Sequence, residues 1–377
     1  MGRLSVYARR VVRVGLLLSG VLGGCSRRPD AYLLGAAAPQ KLAYGRSNTE
    51  GINLAVAEIN AAGGIDGVPL KVMIADDQAS GVQAVNVASA FVGNPDILAV
   101  IGHAGSGAMV PAARVYDAGQ LVALGTTPST PDLTGISPWV FRLISSDSMN
   151  GATLAAFASA SSTQLGHPPR AAILYANDAY GRGLADAFAR HFKGEIVCND
   201  PVGTDESFEP HVAYFKSKHP DIVFVASSED IGIPFMREAR RQGLQAIFLG
   251  GDGWQGVVSD STVAEGIYVG TPFTAQSGDT AARRFVSAFT AKYGTVPDAH
   301  AALAYDATRL LARAIGAVGP HRDAIRAYLS TVPDSAPFHG VTGPIRFDAK
   351  TNDPVGNNFA VTRVHSGLMV PVPEPVL

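Results

Sequence analysis

Hydroxyls, glycines and acids gather at five points in this chain, each where an apolar run stops. ILAVI at 97–101 runs into Gly102-His103-Ala104-Gly105-Ser106-Gly107, LVAL at 121–124 into Gly125-Thr126-Thr127-Pro128-Ser129, and AAILY at 171–175 into Ala176-Asn177-Asp178-Ala179-Tyr180-Gly181. DIVFVA at 221–226 stops at Ser227-Ser228-Glu229-Asp230, and AIFL at 246–249 at Gly250-Gly251-Asp252-Gly253-Trp254. Ser106 and Ser129 open loops whose hydroxyls and backbone N–H groups suit a carboxylate, although Ser also favours turns and caps. Asp252, once enclosed, needs a cation; the alternative is a cap on the short segment after it. Open α/β sheets hold small ligands in loops at the carboxyl ends of parallel strands, so the pattern predicts a binder of a small polar molecule.

Catalytic readings of the same residues fail. The loop at 102–107 lacks the glycine spacing of a dinucleotide fingerprint, and no ribose-binding acid follows at the required distance. No G-x-S-x-G elbow is present, and a histidine near a serine, as His103 is near Ser106, does not make a triad; a lone histidine is usually a structural hydrogen-bonder. Asp76-Asp77 reads as solvated acids or a helix cap, and no His or Cys pair has metal-ligand spacing. No catalytic residue, metal or cofactor is expected.

The elements that hold these loops alternate. Ser47-Asn48-Thr49-Glu50 has capping-box spacing ahead of a helix that stops at Gly63-Gly64, and Leu70, Val72 and Ile74 alternate as a strand. A helix over about 82–92 follows, and strand–helix pairs continue to about Val269, which argues for a parallel sheet covered on both faces. Helices are then expected near 280–293, 300–317 and 322–331, and strands near 345–347 and 359–363. The fold class is α/β. With 377 residues, 47% of them apolar, the chain is long enough for two domains, and a net charge of −2 gives no reason to expect nucleic acid.

Residues 1–24 carry Arg3, Arg9, Arg10 and Arg13, then a short apolar run, then small residues before Cys25. That order is an export signal, too short in its apolar part to be a permanent membrane span. Leu-Gly-Gly-Cys at 22–25 resembles a bacterial lipobox, with Cys25 as the acylated residue and the residues up to 30 as a spacer. Losing four arginines and no acids takes the formal charge from −2 to −6. Cys198 is then the one other cysteine, expected as a buried, inert thiol.

Several segments in order carry a wider likeness: Gly51-Ile52-Asn53-Leu54-Ala55 through Glu58-Ile59-Asn60-Ala61-Ala62-Gly63-Gly64-Ile65, Val100-Ile101-Gly102-His103, the segment from Pro128 to Thr134, Phe141-Arg142, Asn177-Asp178-Ala179-Tyr180-Gly181-Arg182-Gly183, Arg237 to Leu244, and Gly340 to Asp348. Together they resemble the type I periplasmic binding proteins of the leucine/isoleucine/valine-binding group, which feed ABC transporters. The resemblance implies two Rossmann-like, doubly wound lobes joined by three crossings, near 142–146, 269–272 and 336–340. Lobe 1 would comprise 31–143 plus 272–337, and lobe 2 144–271 plus 338–377.

The resemblance also implies site roles. Ser106 and Ser129 would hold a ligand carboxylate, the Pro128 carbonyl and Asp252 its ammonium, and Tyr44 and Tyr180 would wall it. Trp254 suits either an apolar wall or the core. Where the branched-chain binders carry a tyrosine, this chain has Ser227-Ser228-Glu229, so Ser228 would border the ligand and Glu229 would enter the cleft, which points away from a branched aliphatic side chain. The expected partners are a small-molecule ligand, most simply an amino acid, an ABC permease and, through the lipid anchor, a membrane; the protein is expected to be a monomer. A sensor module of the same fold binding a small amide, urea or aromatic acid, and an exported hydrolase, are the competing readings.

Overall fold

A computed structural model describes residues 29–161, 166–203, 206–331, 337–356 and 359–372. Residues 1–24, expected as an export signal, and Cys25, the expected site of acylation, lie outside the described residues.

Apolar runs form the central strands. Ile97–Gly102 and Ile222–Ala226 are buried at every position, the pattern of parallel strands covered on both faces. The first layer runs β1 (Tyr32–Ala37), α1 (Ala43–Ala61), β2 (Leu70–Ala75), α2 (Gly81–Gly93), β3 (Ile97–Gly102), α3 (Ser106–Ala118), β4 (Ala123–Gly125) and β5 (Val140–Arg142). The chain then passes into α4 (Asp147–Ser161), β6 (Arg170–Ala176), α5 (Ala179–His191), β7 (Glu195–Val202), α6 (Glu209–Lys218), β8 (Ile222–Ala226), α7 (Glu229–Gln242), β9 (Ile247–Gly250), α8 (Ser261–Ala264) and β10 (Tyr268–Thr271). Three helices follow, α9 (Thr280–Tyr293), α10 (Ala299–Val318) and α11 (Arg322–Ser330), then β11 (Phe338–Gly340), β12 (Gly343–Ile345), β13 (Ala360–His365) and β14 (Leu368–Pro371).

Two main sheets result. The first is all parallel in the order β2-β1-β3-β4-β5. The second, β14-β13-β10-β9-β8-β6-β7, is parallel from β10 to β7, with β13 and β14 added antiparallel. In each, the order reverses beside the first strand, between β1 and β3 and between β6 and β8, and such switch points open crevices at the carboxyl ends of the strands. On one face of the first sheet Leu303, Leu310 and Leu311 of α10 and Ile325 of α11 share a core with Ile52 of α1; on the other, Phe91 of α2 and Met109 and Tyr116 of α3 do so. Leu154 of α4 and Phe188 of α5 cover one face of the second sheet, and Phe215 of α6 and Phe235 of α7 the other. Helices α1 and α10 touch backbone to backbone: a Cβ on Gly51 would lie 2.1 Å from the Ala301 carbonyl oxygen.

Two expectations need correction. The capping box at Ser47 caps nothing, because α1 begins earlier, at Ala43 after Leu42; Ser47 lies inside the helix and donates to Asp298, the N-cap of α10. Residues 338–377 do not all go with the second sheet. Phe338, Ile345 and Phe347 enter the core under the first sheet, and Asn352 donates to the carbonyls of Ser137 and Val140. The chain reaches the second sheet only after Pro354, with Phe359 in that sheet's core. Three large apolar side chains decide this, since their burial outweighs any preference of the short hairpin that carries them.

Candidate functional site

A cavity of about 140 Å³ lies where loops from the carboxyl ends of both sheets meet. One wall belongs to the first sheet and the helices around it. There β3 ends at Gly102, the chain turns, and α3 begins at Ser106 with Gly105 as its N-cap; the first amides of a helix have no partner within it and favour an anion. The Ser106 hydroxyl accepts from the Thr130 N–H (3.2 Å), so its hydrogen remains to be donated. Thr127 also lines the cavity, but its hydroxyl donates to the Ala104 carbonyl (2.7 Å). Tyr44, from the first turn of α1, and His300, from the first turn of α10, close this side with their rings 5.5 Å apart.

The opposite wall comes from the second sheet. Asp178 caps α5 by accepting from the Gly181 N–H (2.8 Å), and burial raises its carboxyl above the ordinary aspartate range. Tyr180 follows it and points to the loop after β9. Its hydroxyl donates to Asp252 Oδ1 (3.1 Å) and accepts from the Gly253 N–H (3.0 Å). A Cβ on Gly251 would stand 2.7 Å from that hydroxyl, which is why glycine precedes the acid. Burial pushes the Asp252 carboxyl up to about 6, against the Tyr180 bond, which favours its ionised form.

Beside Asp252 stands a second acid. Asp147, in the first turn of α4, is fully buried, with the Ser129 hydroxyl and the Asn150 side chain as its polar neighbours and, among the described residues, no cation paired to it. Its carboxyl is raised well above the usual range, first by burial and then by the charge of Asp252. The nearby cation, Arg142, is engaged elsewhere, donating to Asp353 (2.7 Å), to the carbonyls of Ser129 (3.0 Å) and Thr130 (2.7 Å) and to the Thr134 hydroxyl (2.7 Å). Among the described residues no Lys or Arg lines the cavity. The arrangement offers neutral donors on one wall and acids on the other, which suits a small molecule carrying an anionic and a cationic end.

The structure brings Tyr44, Ser106, Tyr180, Ser228 and Asp252 to the cavity. It does not bring Pro128 and Ser129 there. The Pro128 ring packs where a Gly125 side chain would be, and the Ser129 hydroxyl is buried beside the Asp147 carboxyl while the Ser129 carbonyl accepts from Arg142 and from the Asp147 N–H. Thr127 lines the wall in their place. Glu229 does not enter the cleft; it accepts from the Gly256 N–H (2.8 Å), and burial pushes its carboxyl up to about 7. Trp254 is core, fully buried and donating to Ser227 (3.3 Å). His103 is structural, held between Asp77 (2.8 Å) and the Tyr116 hydroxyl (3.0 Å). Cys198 is a buried free thiol pushed up to about 12. Sequence reasoning missed His300 and Asp147. An aspartate cap at 298 places residue 300 at a helix start, the one local signal for the first; Asp147 looks like any acid in a first helical turn.

Known proteins share this architecture. The family model described as periplasmic binding protein matches residues 32–367. Leu/Ile/Val-binding protein homolog 1 of Brucella abortus (strain 2308) is 27% identical over 359 residues, 91% of this chain and 93% of its own; the amino acid binding protein of Pseudomonas aeruginosa is 28% identical over 265 residues, 67% and 69% of the two chains. An ABC transporter substrate-binding protein from Desulfitobacterium hafniense, solved in complex with Leu, is 32% identical with a TM-score of 0.77, covering 91% of this chain and all (100%) of its own. The branched-chain amino acid transporter substrate binding protein LivJ from Streptococcus pneumoniae, in complex with isoleucine, gives 0.83 at 27% identity over 91% and 99%. These are substrate-binding proteins of transporters, not enzymes. With the family match running from β1 to the β13–β14 turn and both sheets in place, the chain belongs to the periplasmic binding proteins of type I, in their Leu/Ile/Val-binding group.

Proposed function

We propose that this protein is the lipid-anchored solute receptor of an ABC transporter and that it encloses an amino acid between two lobes, one built on each sheet. The observation that carries this reading is the division of the cleft: the Ser106 hydroxyl and the α3 N-terminus on one wall, Asp252 with Asp147 behind it on the other. A zwitterion fits that polarity end for end. Its carboxylate meets neutral donors, and its ammonium supplies the cation that the buried acids lack. The lobes close by bending at the segments between β5 and α4, after β10 and after Pro354, and the closed form is presented to a permease. An aromatic acid without an amine would set its charge against Asp252 and leave that acid unpaired.

Binding to the native form alone raises apparent stability, by about 2.7 kcal/mol at a ligand concentration 100 times Kd. In a thermal-shift screen, α-amino acids should raise the unfolding midpoint of the mature chain, while their N-acetyl and carboxamide derivatives should not. Equal shifts from derivatives lacking either charge would exclude the zwitterion.

The anchor is read from Leu-Gly-Gly-Cys at 22–25 behind an export signal. Cys25→Ser is expected to move the protein from the membrane to the soluble fraction of cells. Unchanged membrane fractionation would count against acylation.

A further inference from the structure

His300 is 5% exposed, lines the cavity, and has one polar atom, Nε2, without a partner. The state of that atom follows from its neighbours. Thr127 has a single hydroxyl hydrogen, which it donates to the Ala104 carbonyl at 2.7 Å. Toward His300 Nδ1, 3.4 Å away, Thr127 can therefore only accept, so Nδ1 carries the ring hydrogen. Burial holds the imidazole neutral by lowering its pKa, against the charge of Asp298. Nε2 is then a bare lone pair, an acceptor in a buried place, fixed in orientation by Thr127 and by the tilted Tyr44 ring. Buried acceptors left unpaired are rare and costly, and one on a ligand-cavity wall is satisfied most simply by the ligand.

The rest of the lining agrees. No Leu, Ile, Val, Met, Phe or Trp among the described residues lines the cavity; its aliphatic side chains are alanines, and Asp178 adds a further acceptor. A branched aliphatic side chain could pack on the Tyr44 and Tyr180 rings but would leave Nε2 unpaired.

Resting on the amino-acid reading above, we infer that the ligand is an amino acid whose side chain carries a hydrogen-bond donor, a hydroxyl, carboxamide or amine, and that His300 Nε2 is the residue that reads it. A side-chain carboxylate is disfavoured, since it would meet acceptors on both walls.

Calorimetry on matched pairs tests this: threonine against valine, asparagine against leucine, lysine against norleucine. A site built to bond a donor rejects the analogue that lacks it far more strongly than an apolar pocket rejects an added hydroxyl. At least one pair should favour the donor-bearing member by about tenfold or more. His300→Phe should bring that ratio to within about threefold of unity, and His300→Gln, which keeps an acceptor near the same place, should retain most of it. Equal or reversed preference in all three pairs, or a ratio that survives His300→Phe, overturns the inference while leaving the amino-acid reading standing. Failure of any α-amino acid to bind the wild-type chain overturns both. Should His300→Phe not fold, loss of the ratio in His300→Leu against its retention in His300→Gln decides the matter in the same way.

Discussion

Asp252→Asn is expected to weaken binding of an α-amino acid by about 2–5 kcal/mol, the range for truncating one partner of a buried, hydrogen-bonded charge pair. Asn is close in shape and can still accept from the Tyr180 hydroxyl, so the loss isolates the charge. The fold should not suffer. Asp252 is a carboxylate whose ionisation the folded state opposes, so its neutral replacement should leave the unliganded variant at least as stable as wild type near pH 7.5. Weak binding together with an undiminished unfolding midpoint would therefore separate a ligand role from a structural one. Part of the effect will be recovered by Asp147, because removing the charge of Asp252 removes one of the two causes that raise the Asp147 carboxyl. Asp147→Asn on its own should weaken binding less, and the double variant should differ from the sum of the two, as neighbouring groups in one network do. Calorimetry with the amino acid that gives the largest thermal shift measures all three variants. An affinity of Asp252→Asn within about threefold of wild type would remove this residue from the ammonium's surroundings.

Much of that site is legible in the chain because strand ends announce themselves. A run such as ILAVI or DIVFVA can only be a covered strand or a short buried helix, and the Gly, Ser, Thr and Asp that follow leave no way to continue either. The runs singled out in the sequence become β3, β4, β6, β8 and β9, and their loops supply Ser106, Thr127, Asp178, Tyr180, Ser228 and Asp252. His300 and Asp147 were out of reach for a different reason. His300 follows no strand, and Asp147 follows β5, a three-residue strand that no long apolar run announces. His300 opens α10, which comes after every strand of the first sheet, and only the packing of α10 along α1 returns its first turn to the cleft. Asp147 acquires its significance from burial beside Asp252, 105 positions later in the sequence. The false capping box at Ser47 shows the converse: spacing suggested a helix start, but the helix had already begun and the side chain serves a contact with Asp298. The misplaced third crossing has the same origin, since a short hairpin carries no local mark of which sheet's core will accept Phe338 and Ile345.

The buried acids also make stability and binding respond to pH in opposite directions. Asp252 has its folded-state pKa raised from 3.8 to about 6 by burial, and Asp306, bonded to the Val341 and Thr342 amides, is likewise pushed up to about 6. An acid with a raised folded pKa binds more protons folded than unfolded between its two pKa values, so unfolding free energy falls as pH rises across that window and stays low above it. For Asp252 the whole loss is on the order of 3 kcal/mol. The unliganded protein should accordingly unfold at a higher temperature at pH 5 than at pH 7.5. Binding runs the other way. The ligand ammonium is matched by an ionised Asp252, so below about 6 the proton must leave before the pair can form, and affinity should fall by up to about tenfold per pH unit there, while above 7 it levels off. Calorimetry at pH 6 in buffers of different ionisation enthalpy should register proton release, and the release should shrink in Asp252→Asn to what Asp147 contributes. Since burial alone raises these carboxyls and an ammonium relieves it, ligand and proton compete for the same acid; affinity that stays constant from pH 5 to 8, with no buffer dependence of the heat, would mean that the cation is met somewhere other than Asp252.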